Sequence, residues 1–399
     1  MLFYRQYCRI YQTVMRKTMT FLPWREPRLL IGKNCLRELP TIIVQEGLTR
    51  LLFITDRGIL KTELFQPLLQ QFSDLNIHIT IYSDTVANPT IQNVEEAVTL
   101  YQMHHCDGII AFGGGSPIDC AKVVAARVAN PHKTIYAMRG LLKVRKKTPI
   151  LIAVPTTSGT GSEATLAAVI SNNDTNEKFA LMDPALLPHI VVLDPTLTLT
   201  VPKGITAATG MDALTHAVEA FIGNSNTADT ERWSKETVKI IFSELRTVYD
   251  HPEHIQARKK MQTAAYLAGK AFTRAYVGNV HAMAHTLSAF YHVPHGVANA
   301  VLLPIVLDYY GKSIHKRLAQ LADTINLCDP QEADEVKAQA FIQAIHTLNG
   351  YMKIPKKLDC IKTKDLQAMA EQAVQEANPL YPVPVIFTAK DMQLILQQV

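Results

Sequence analysis

Apolar and amphipathic segments alternate along the chain between residues 28 and 200. Five of these segments suit strands, and most of the five are almost continuously apolar, which is typical of parallel strands covered on both faces of a sheet. The predicted strands are 50–56, 78–84, 108–114, 150–156 and 189–195. The segments with helical periodicity between them are 59–72, 92–104 and 117–128. This alternation predicts a Rossmann-like α/β domain with a doubly wound parallel sheet.

After Pro202 the strand pattern stops and helical periodicity continues to the end of the chain. The predicted helices are separated by Pro, Gly or Asn signals. They are 204–223, 229–249, 253–275, 281–291, 297–310, 332–348 and 363–377. We therefore expect a helical extension over 1–27, an α/β domain over 28–200 and an all-helical domain over 201–399.

The first 25 residues carry five basic side chains and no acidic one before Glu26. Their apolar residues recur at helical spacing. These are Phe3, Tyr7, Ile10 and Val14. Because no long apolar core follows the charges, a secretory signal is not expected. The pattern favours an extra helix docked on the protein, with a targeting or membrane-surface helix as the alternative.

The composition of the 399 residues excludes several classes of protein. Hydrophobic residues make up 48% and charged residues 19%, which excludes a disordered chain and supplies material for a large core. No apolar run is long enough for a transmembrane helix. The net charge of +5 is small for this length, and the one basic cluster, at residues 143–147, is short. No nucleic-acid partner is therefore expected.

The six cysteines are scattered along the chain and include no Cys-x-x-Cys pair. This distribution is typical of reduced thiols in a cytoplasmic protein. It argues against a disulfide framework and against a metal site built from thiolates.

Two turns suggest a phosphate-binding site at the carboxyl edge of the predicted sheet. In the first, Gly113-Gly114-Gly115-Ser116 follows a buried strand and leads into a helix that contains Asp119. Glycines at such a turn let backbone N–H groups approach a phosphate at the positive end of the helix, although a tight turn alone can also require them. The second turn, residues 156–162, is rich in Thr, Ser and Gly. Together the turns predict a nucleotide site.

Asp56 ends the predicted strand 50–56. A carboxylate in this place accepts hydrogen bonds from a ribose diol and repels a 2′-phosphate, so it favours NAD over NADP. The alternative is that Asp56 only caps the next helix. The order along the chain differs from the usual dinucleotide layout, because here the acid precedes the Gly-rich turn.

The C-terminal half concentrates side chains that bind metals. Asp212 and His216 stand at i, i+4, where both reach one ion from a single helix face. Four of the chain's 14 histidines then fall within 15 residues, where an even spread would place fewer than one. They are His281, His285, His292 and His295.

A carboxylate with imidazoles and no thiolate suits Fe(II), Zn(II) or a similar divalent ion. Spacing leaves open which of the clustered histidines bind, because His281 and His285 also stand at i, i+4. Glu219 continues the helix face of Asp212 and His216. It is either a supporting group of the site or an ordinary exposed residue.

Four motifs together resemble the iron-dependent (group III) alcohol dehydrogenases, the family that includes lactaldehyde and propanediol oxidoreductases. They are GGGSPIDCAK (113–122), PTTSGTGSEAT (155–165), GMDALTHAVEAF (210–221) and HAMAHTLSAFYHVPHGVANAVLLP (281–304). The similarity runs from about residue 28 to at least 310. It implies an N-terminal dinucleotide-binding domain followed by a helical metal-binding domain.

The resemblance also implies roles for individual residues. It makes Asp212, His216, His281 and His295 the metal ligands and places His285 beside the nicotinamide. The implied cofactor contacts are Asp56, Asn88, Gly115, Ser116, Thr156, Thr157, Thr160 and Lys178. The first turn adds Gly113, Gly114 and Asp119 to the predicted cofactor site.

The expected function is reversible hydride transfer between a small alcohol or aldehyde and NAD, with a divalent metal activating the substrate oxygen. The expected metal is Fe(II), with Zn(II) or another divalent ion as alternatives, and NADP is the alternative dinucleotide. His285 is expected to relay the proton. The alternatives are a metal-dependent lyase or hydrolase without net redox and a metal-binding scaffold protein. The resemblance further implies a homodimer or larger homo-oligomer.

Overall fold

The computed structural model describes residues 2–22, 24–62, 64–172 and 177–399. The chain divides into two compact units. The helical unit comprises Met1–Leu22, Pro202–Pro252 and Thr263–Val399. The α/β unit comprises Pro23–Val201 and Glu253–Gln262. Its boundary at Val201 lies next to the one predicted at residue 200, and the division into domains 28–200 and 201–399 stays a prediction.

A six-stranded sheet forms the centre of the α/β unit. Its strands are β1 (Arg28–Ile31), β2 (Arg50–Ile54), β3 (His78–Tyr82), β4 (Gly108–Gly113), β6 (Ile150–Pro155) and β9 (Ile190–Leu193). Their order is β1-β9-β6-β4-β2-β3, and every pairing is parallel. All five predicted strands are present and the predicted fold class is confirmed. The strand β1 was not predicted, because it is a four-residue edge strand with mostly exposed side chains.

The order of this sheet creates a place where ligands bind. From β2 the chain adds β3 on one side and then β4 on the other. In open α/β sheets, nucleotides bind where the order reverses, outside the carboxyl ends of the strands. Here those ends are Ile54 and Gly113. Behind them Phe53, Phe65 and Phe112 pack with ring centroids 5.0 to 5.8 Å apart.

A second, three-stranded sheet completes this unit. It consists of β5 (Gly140–Leu141), β7 (Ala167–Asn172) and β8 (Glu177–Met182), in the order β5-β8-β7. The helices of the unit are α2 (Leu39–Gln45), α3 (Arg57–Leu60), α4 (Gln66–Asp74), α5 (Ile91–Met103) and α6 (Gly115–Ala129). The helix predicted over 59–72 is therefore two helices, with Pro67 near the start of the second. Glu63, inside that prediction, lies outside the described residues.

The remaining elements are helices. They are α1 (Leu2–Thr20), α7 (Lys203–Ile222), α8 (Ala228–Asp250), α9 (Ile255–Ala275), α10 (Asn279–Tyr291), α11 (His295–Tyr310), α12 (His315–Thr324), α13 (Asp334–Tyr351), α14 (Leu366–Ala377) and α15 (Ala389–Leu396). All seven helices predicted after Pro202 are present, whereas α12 and α15 were not predicted. Throughout the described ranges, none of the helices is long and apolar enough to cross a membrane.

The helix α1 docks on the helical unit through a face that the sequence pattern did not single out. Cys8 is fully buried and packs with Val383 and Ile386. The residues that gave the pattern lie on the outside, with Phe3 85% and Ile10 67% exposed. The extension is thus held by its less apolar side, where Arg9 and Gln12 hydrogen-bond to the backbone of residues 381–384.

Candidate active site

The helix α7 supplies one half of the candidate metal centre. It is buried on all sides from Gly210 to Ile222. Asp212, His216 and Glu219 stand on one face of this helix at helical spacing. His216 stacks between Phe272, with ring centroids 4.1 Å apart, and His281, at 4.4 Å. Such packing fixes the ring orientation before any ligand arrives.

Asp212, His216 and His281 form a compact buried group. One potential ligand atom of each residue lies within 4.8 Å of the others. His281 Nε2 is 3.8 Å from Asp212 Oδ1. Burial and the neighbouring imidazoles hold the pKa of His281 well below its usual value, so its ring is the neutral form that binds metals.

Glu219 holds His281 in place. Its Oε2 lies 2.6 Å from His281 Nδ1. Its two oxygens also accept the backbone N–H groups of Gly278 at 2.9 Å and Val280 at 2.7 Å, at the start of α10. Burial raises the pKa of Glu219 to about 7, against the opposing effect of these N–H groups. Of the two readings open from the sequence, the structure supports the group beside the site, because Glu219 is only 3% exposed.

We expect Glu219→Gln to weaken metal binding by about 10-fold to 100-fold, the usual effect of removing a carboxylate behind a ligating histidine. The amide fills the same space but is a weaker hydrogen-bond acceptor for His281 Nδ1 than the carboxylate is. Chelator competition on the purified protein measures the affinity. The matched control is Glu236→Gln, an exposed position on α8. Equal affinities for both variants contradict the role assigned to Glu219.

His295 lies beside this group at the start of α11. Its Nε2 is 3.6 Å from Asp212 Oδ1. Asn299, one turn later, donates from Nδ2 to Asp212 Oδ1 at 2.7 Å and lies 3.1 Å from His295 Nε2. Asn299 is fully buried, and the sequence reasoning missed it although it stands at i+4 from His295. The Asn299 amide thus fixes the positions of two predicted ligands, Asp212 and His295, relative to each other.

His285 stacks on His295, with ring centroids 5.0 Å apart and 15° between the planes. Its Nδ1 lies 2.6 Å from Glu376 Oε1, and the Tyr381 hydroxyl donates to the same oxygen at 2.9 Å. Sequence reasoning missed both partners, because they lie on a distant segment without a motif. His292, the fourth clustered histidine, is exposed and ends α10 in the left-handed conformation.

The donor set fits a divalent metal. His281 Nε2 is buried and has no hydrogen-bond partner within the described part of the chain. It faces a carboxylate and a second imidazole, which is a mixed N/O set suited to Fe(II) or Zn(II). A buried polar atom without a partner is costly unless a ligand satisfies it. Asp212, His216 and His281 therefore have the chemistry of metal ligands, with His295 adjacent.

In the α/β unit, the first glycine turn has the geometry of an anion site. Gly113 has a φ of +152°, and an added Cβ would lie 2.7 Å from Pro117 Cγ. A Cβ on Gly115 would lie 2.8 Å from Thr160 Cγ2. Only glycine fits at either place. Gly114 precedes α6 without a capping side chain, which leaves the N-terminal N–H groups of the helix available.

Asp56 lies against this turn. A Cβ added to Gly113 would be 3.5 Å from Asp56 Oδ2. The other carboxylate oxygen accepts the backbone N–H of Ile59 at 2.9 Å, so Asp56 does cap α3. One oxygen thus serves the cap and the second lies at the switch point of the sheet, so the two sequence readings are compatible.

The second turn lies beside the first. Thr156 donates its N–H to Gly113 O at 2.9 Å, and a Cβ on Gly114 would be 3.5 Å from Thr157 Oγ1. Asn88 approaches Ser116, with 3.4 Å between its backbone nitrogen and Ser116 Oγ. The structure therefore brings the predicted cofactor residues together in one region of the α/β unit.

Lys178 and Asp119 occupy different surroundings. Lys178 Nζ donates to Asn88 Oδ1 at 2.9 Å on the exposed side. Asp119 accepts from Ser162 Oγ at 2.5 Å and from the Val169 N–H at 2.9 Å, and loss of hydration raises its pKa. Asp119 thus joins α6 to the second turn through one oxygen and to β7 through the other, and its contact with a cofactor stays a prediction.

Lys122 fixes the same junction from inside. Its fully buried ammonium donates to the carbonyls of Ser162 at 2.6 Å, Thr165 at 2.9 Å and Ala167 at 2.7 Å, and to Thr165 Oγ1 at 2.8 Å. Burial lowers its pKa to about 8, while Asp119 and Glu163 oppose that effect. Lys122 therefore holds the end of the second turn together with Asp119.

Comparison with known proteins gives consistent matches over both units. Residues 26–195 match the model of the iron-containing alcohol dehydrogenases, and residues 206–399 match that of the Fe-containing alcohol dehydrogenase family, C-terminal. Alcohol dehydrogenase 4 of Schizosaccharomyces pombe is 35% identical over 361 residues, which cover 88% of this chain and 84% of that protein.

Solved structures agree with these matches. A 1,3-propanediol oxidoreductase is 32% identical with a TM-score of 0.91, covering 95% of this chain and 99% of that one. A sulfoacetaldehyde reductase from Bifidobacterium kashiwanohense, solved with NAD+, is 25% identical with a TM-score of 0.83, covering 94% and 98%. The expected class of activity, a metal-dependent alcohol dehydrogenase, is confirmed, and no match supports a lyase. The chain belongs to the iron-containing alcohol dehydrogenase family.

Proposed function

We propose that this protein transfers hydride reversibly between a small alcohol or aldehyde and NAD, with Fe(II) as its metal. The observation that carries the proposal is the buried Asp212–His216–His281 group, in which His281 Nε2 has no hydrogen-bond partner among the described residues. We assign His295 as the fourth ligand, since it lies beside Asp212. Zn(II) is the alternative ion, because the donor set suits both.

The residues around the group have separate tasks in this reaction. When bound, the metal supplies Lewis acidity toward the substrate oxygen and NAD supplies the hydride acceptor. Glu219 and Asn299 hold the ligands in register. His285 Nδ1 is hydrogen-bonded to Glu376, and we assign His285 Nε2 as the atom that takes the proton the alcohol loses. We assign it as the catalytic base.

The test combines metal loading with a substrate panel. Purified protein loaded with Fe(II) or Zn(II) is mixed with NAD and short primary alcohols, and with NADH and the matching aldehydes. We expect the absorbance of reduced nicotinamide to rise in the first case and to fall in the second. Well-folded, metal-loaded protein that changes no nicotinamide absorbance with any member of the panel would contradict the proposal.

We assign the dinucleotide site to Asp56, Asn88, the 113–116 turn, the 156–160 turn and Lys178. The second Asp56 oxygen, beside Gly113, supports NAD as the preferred form. Thr157 and Thr160 are close enough to the glycine turn to share a ligand with it. Asp119 belongs to this proposal through the hydrogen bonds that position Ser162 and Val169.

We expect Asp56→Gly to raise the ratio of NADP to NAD use by about 10-fold, because a carboxylate no longer repels the 2′-phosphate. Glycine retains most of the capping preference, so the cost to stability is small. Steady-state kcat/KM with each dinucleotide measures the ratio. Asp84→Gly, the same change just after the next strand, is the control. An unchanged ratio in Asp56→Gly would mean that Asp56 does not face the ribose.

Two further properties belong to this proposal. We place the protein in the cytoplasm, supported by the absence of disulfides among its six cysteines. We also propose a homodimer or larger homo-oligomer, which light scattering of the purified protein tests directly.

A further inference from the structure

The segment 381–384, with the sequence Tyr-Pro-Val-Pro, receives most of the hydrogen bonds to its carbonyls from other parts of the chain. Pro382 and Pro384 have no N–H groups, so the segment has more acceptors than donors. The Pro382 carbonyl accepts the Asn224 N–H at 2.7 Å. Tyr381 O accepts the Val383 N–H at 2.8 Å, and Val383 O accepts from Asn224 Nδ2 at 3.0 Å.

The helix α1 adds three side-chain donors to these carbonyls. Gln12, which is 5% exposed, donates from Nε2 to Tyr381 O at 2.7 Å. Arg9 donates to Val383 O and Pro384 O, each at 2.7 Å, and to Gln12 Oε1 at 2.8 Å. These contacts explain why α1 docks by its less apolar face. The family match begins at residue 26, so this support comes from a part of the chain outside the matched region.

The supported segment leads directly to the proposed catalytic base. The Tyr381 hydroxyl donates to Glu376 Oε1 at 2.9 Å, and the same oxygen lies 2.6 Å from His285 Nδ1. Glu376 stands in the last turn of α14, where the helix dipole disfavours a negative charge. Helix stability therefore does not account for a glutamate here, whereas its contact with His285 does.

The acceptor fixes the tautomer of the histidine. With a carboxylate oxygen as its partner, His285 Nδ1 is placed to donate, and in that tautomer Nε2 is the nitrogen that takes up a proton. The Tyr381 hydroxyl donates to the same Glu376 oxygen and so restricts rotation of the carboxylate. A base that takes the proton of an alcohol at Nε2 needs this tautomer.

We propose that α1 is a positioning element of the active site, acting through the path Gln12–Tyr381–Glu376–His285. Glu376 and Tyr381 are positioning residues, and Gln12 with Arg9 keeps them in place. This rests on the proposed role of His285 as the base. The N-terminal helix is then a working part of the enzyme, although it lies outside the family match.

The test uses the full-length, zinc-loaded protein with Gln12→Ala, and with Gln6→Ala as the control. Gln6 is exposed on the same helix. We expect Gln12→Ala to lower kcat by about 3-fold to 10-fold with little change in the KM for NAD, and Gln6→Ala to have no effect. Nitrogen NMR of ¹⁵N-histidine-labelled protein reads the tautomer independently of activity. We expect Nδ1–H alone in the wild type and a mixture of tautomers in Gln12→Ala.

Variants of Glu376 and Tyr381 keep the test decisive if Gln12→Ala lowers stability. Glu376→Gln retains an acceptor and should keep the Nδ1–H tautomer, whereas Glu376→Leu should lose it and lower kcat by about 10-fold to 100-fold. Tyr381→Phe removes one hydroxyl, and its kcat should lie between those of Glu376→Gln and Glu376→Leu. A Gln12→Ala protein with unchanged kcat, or with His285 still protonated only at Nδ1, overturns the inference. Full activity in His285→Ala would instead overturn the proposed base.

Discussion

Purified His281→Ala is expected to lose its bound metal and at least about a thousandfold in kcat, which corresponds to roughly 4 kcal/mol of transition-state stabilisation. All three residues of the group are buried, and His281 Nε2 has no hydrogen-bond partner among the described residues. Its loss also leaves the Glu219 carboxylate buried without its imidazole partner. Metal content by elemental analysis and kcat by nicotinamide absorbance are measured on the same preparation.

Two other histidines of the same cluster provide the controls. His285→Ala should keep its metal and lose about 100-fold or more in kcat, as expected when a general base is removed. His292→Asn removes an exposed imidazole at the end of α10 without straining the left-handed position, and should change neither quantity. If His281→Ala and His285→Ala lose metal equally, the ligand and base assignments are wrong.

Lys122→Met is expected to lower the free energy of unfolding by about 3 to 5 kcal/mol, the usual cost of removing one partner from a buried charged group. The ammonium satisfies three carbonyls and a hydroxyl in the 162–167 segment, and methionine satisfies none of them. The positive charge of Lys122 also attracts the buried side chains of Asp119 and Glu163. Denaturant unfolding at neutral pH, below the lowered Lys122 pKa of about 8, measures the loss.

The control for this prediction is Lys146→Met, the same substitution at an exposed position. It should change stability by less than about 0.5 kcal/mol. Since Lys122 joins α6 to the second cofactor turn, we also expect Lys122→Met to raise the KM for NAD. A Lys122→Met protein as stable as Lys146→Met would show that the buried ammonium contributes no net stability.

The sequence was sufficient to predict the elements whose hydrophobic pattern is long and regular. Parallel strands such as β4 are buried along their whole length, so a run of apolar residues identifies them. The strand β1 has a single buried residue in four and gives no such run. The break between α3 and α4 was missed because Pro67 is a local signal inside one periodic stretch.

The metal group was predictable in part, because Asp212 and His216 stand at i, i+4 on one helix, whereas the same spacing of His281 and His285 left open which histidines bind. Asp212 with His216 and His281 with His285 are visible in any reading of the chain. Glu376 was not predictable, because it meets His285 across 91 positions and through the packing of α14 against α10. Contacts of that kind depend on tertiary structure, and no local sequence pattern predicts them.

The burial of Cys8 makes local opening of the N-terminus measurable. Its thiol is fully covered when α1 is docked and has a raised pKa, whereas Cys360 is exposed. A thiol reagent can reach Cys8 only in molecules whose α1 has lifted, so its labelling rate relative to Cys360 gives the equilibrium constant of that opening. A single cysteine thus reports how firmly the chain's first helix is held under native conditions, separately from global unfolding.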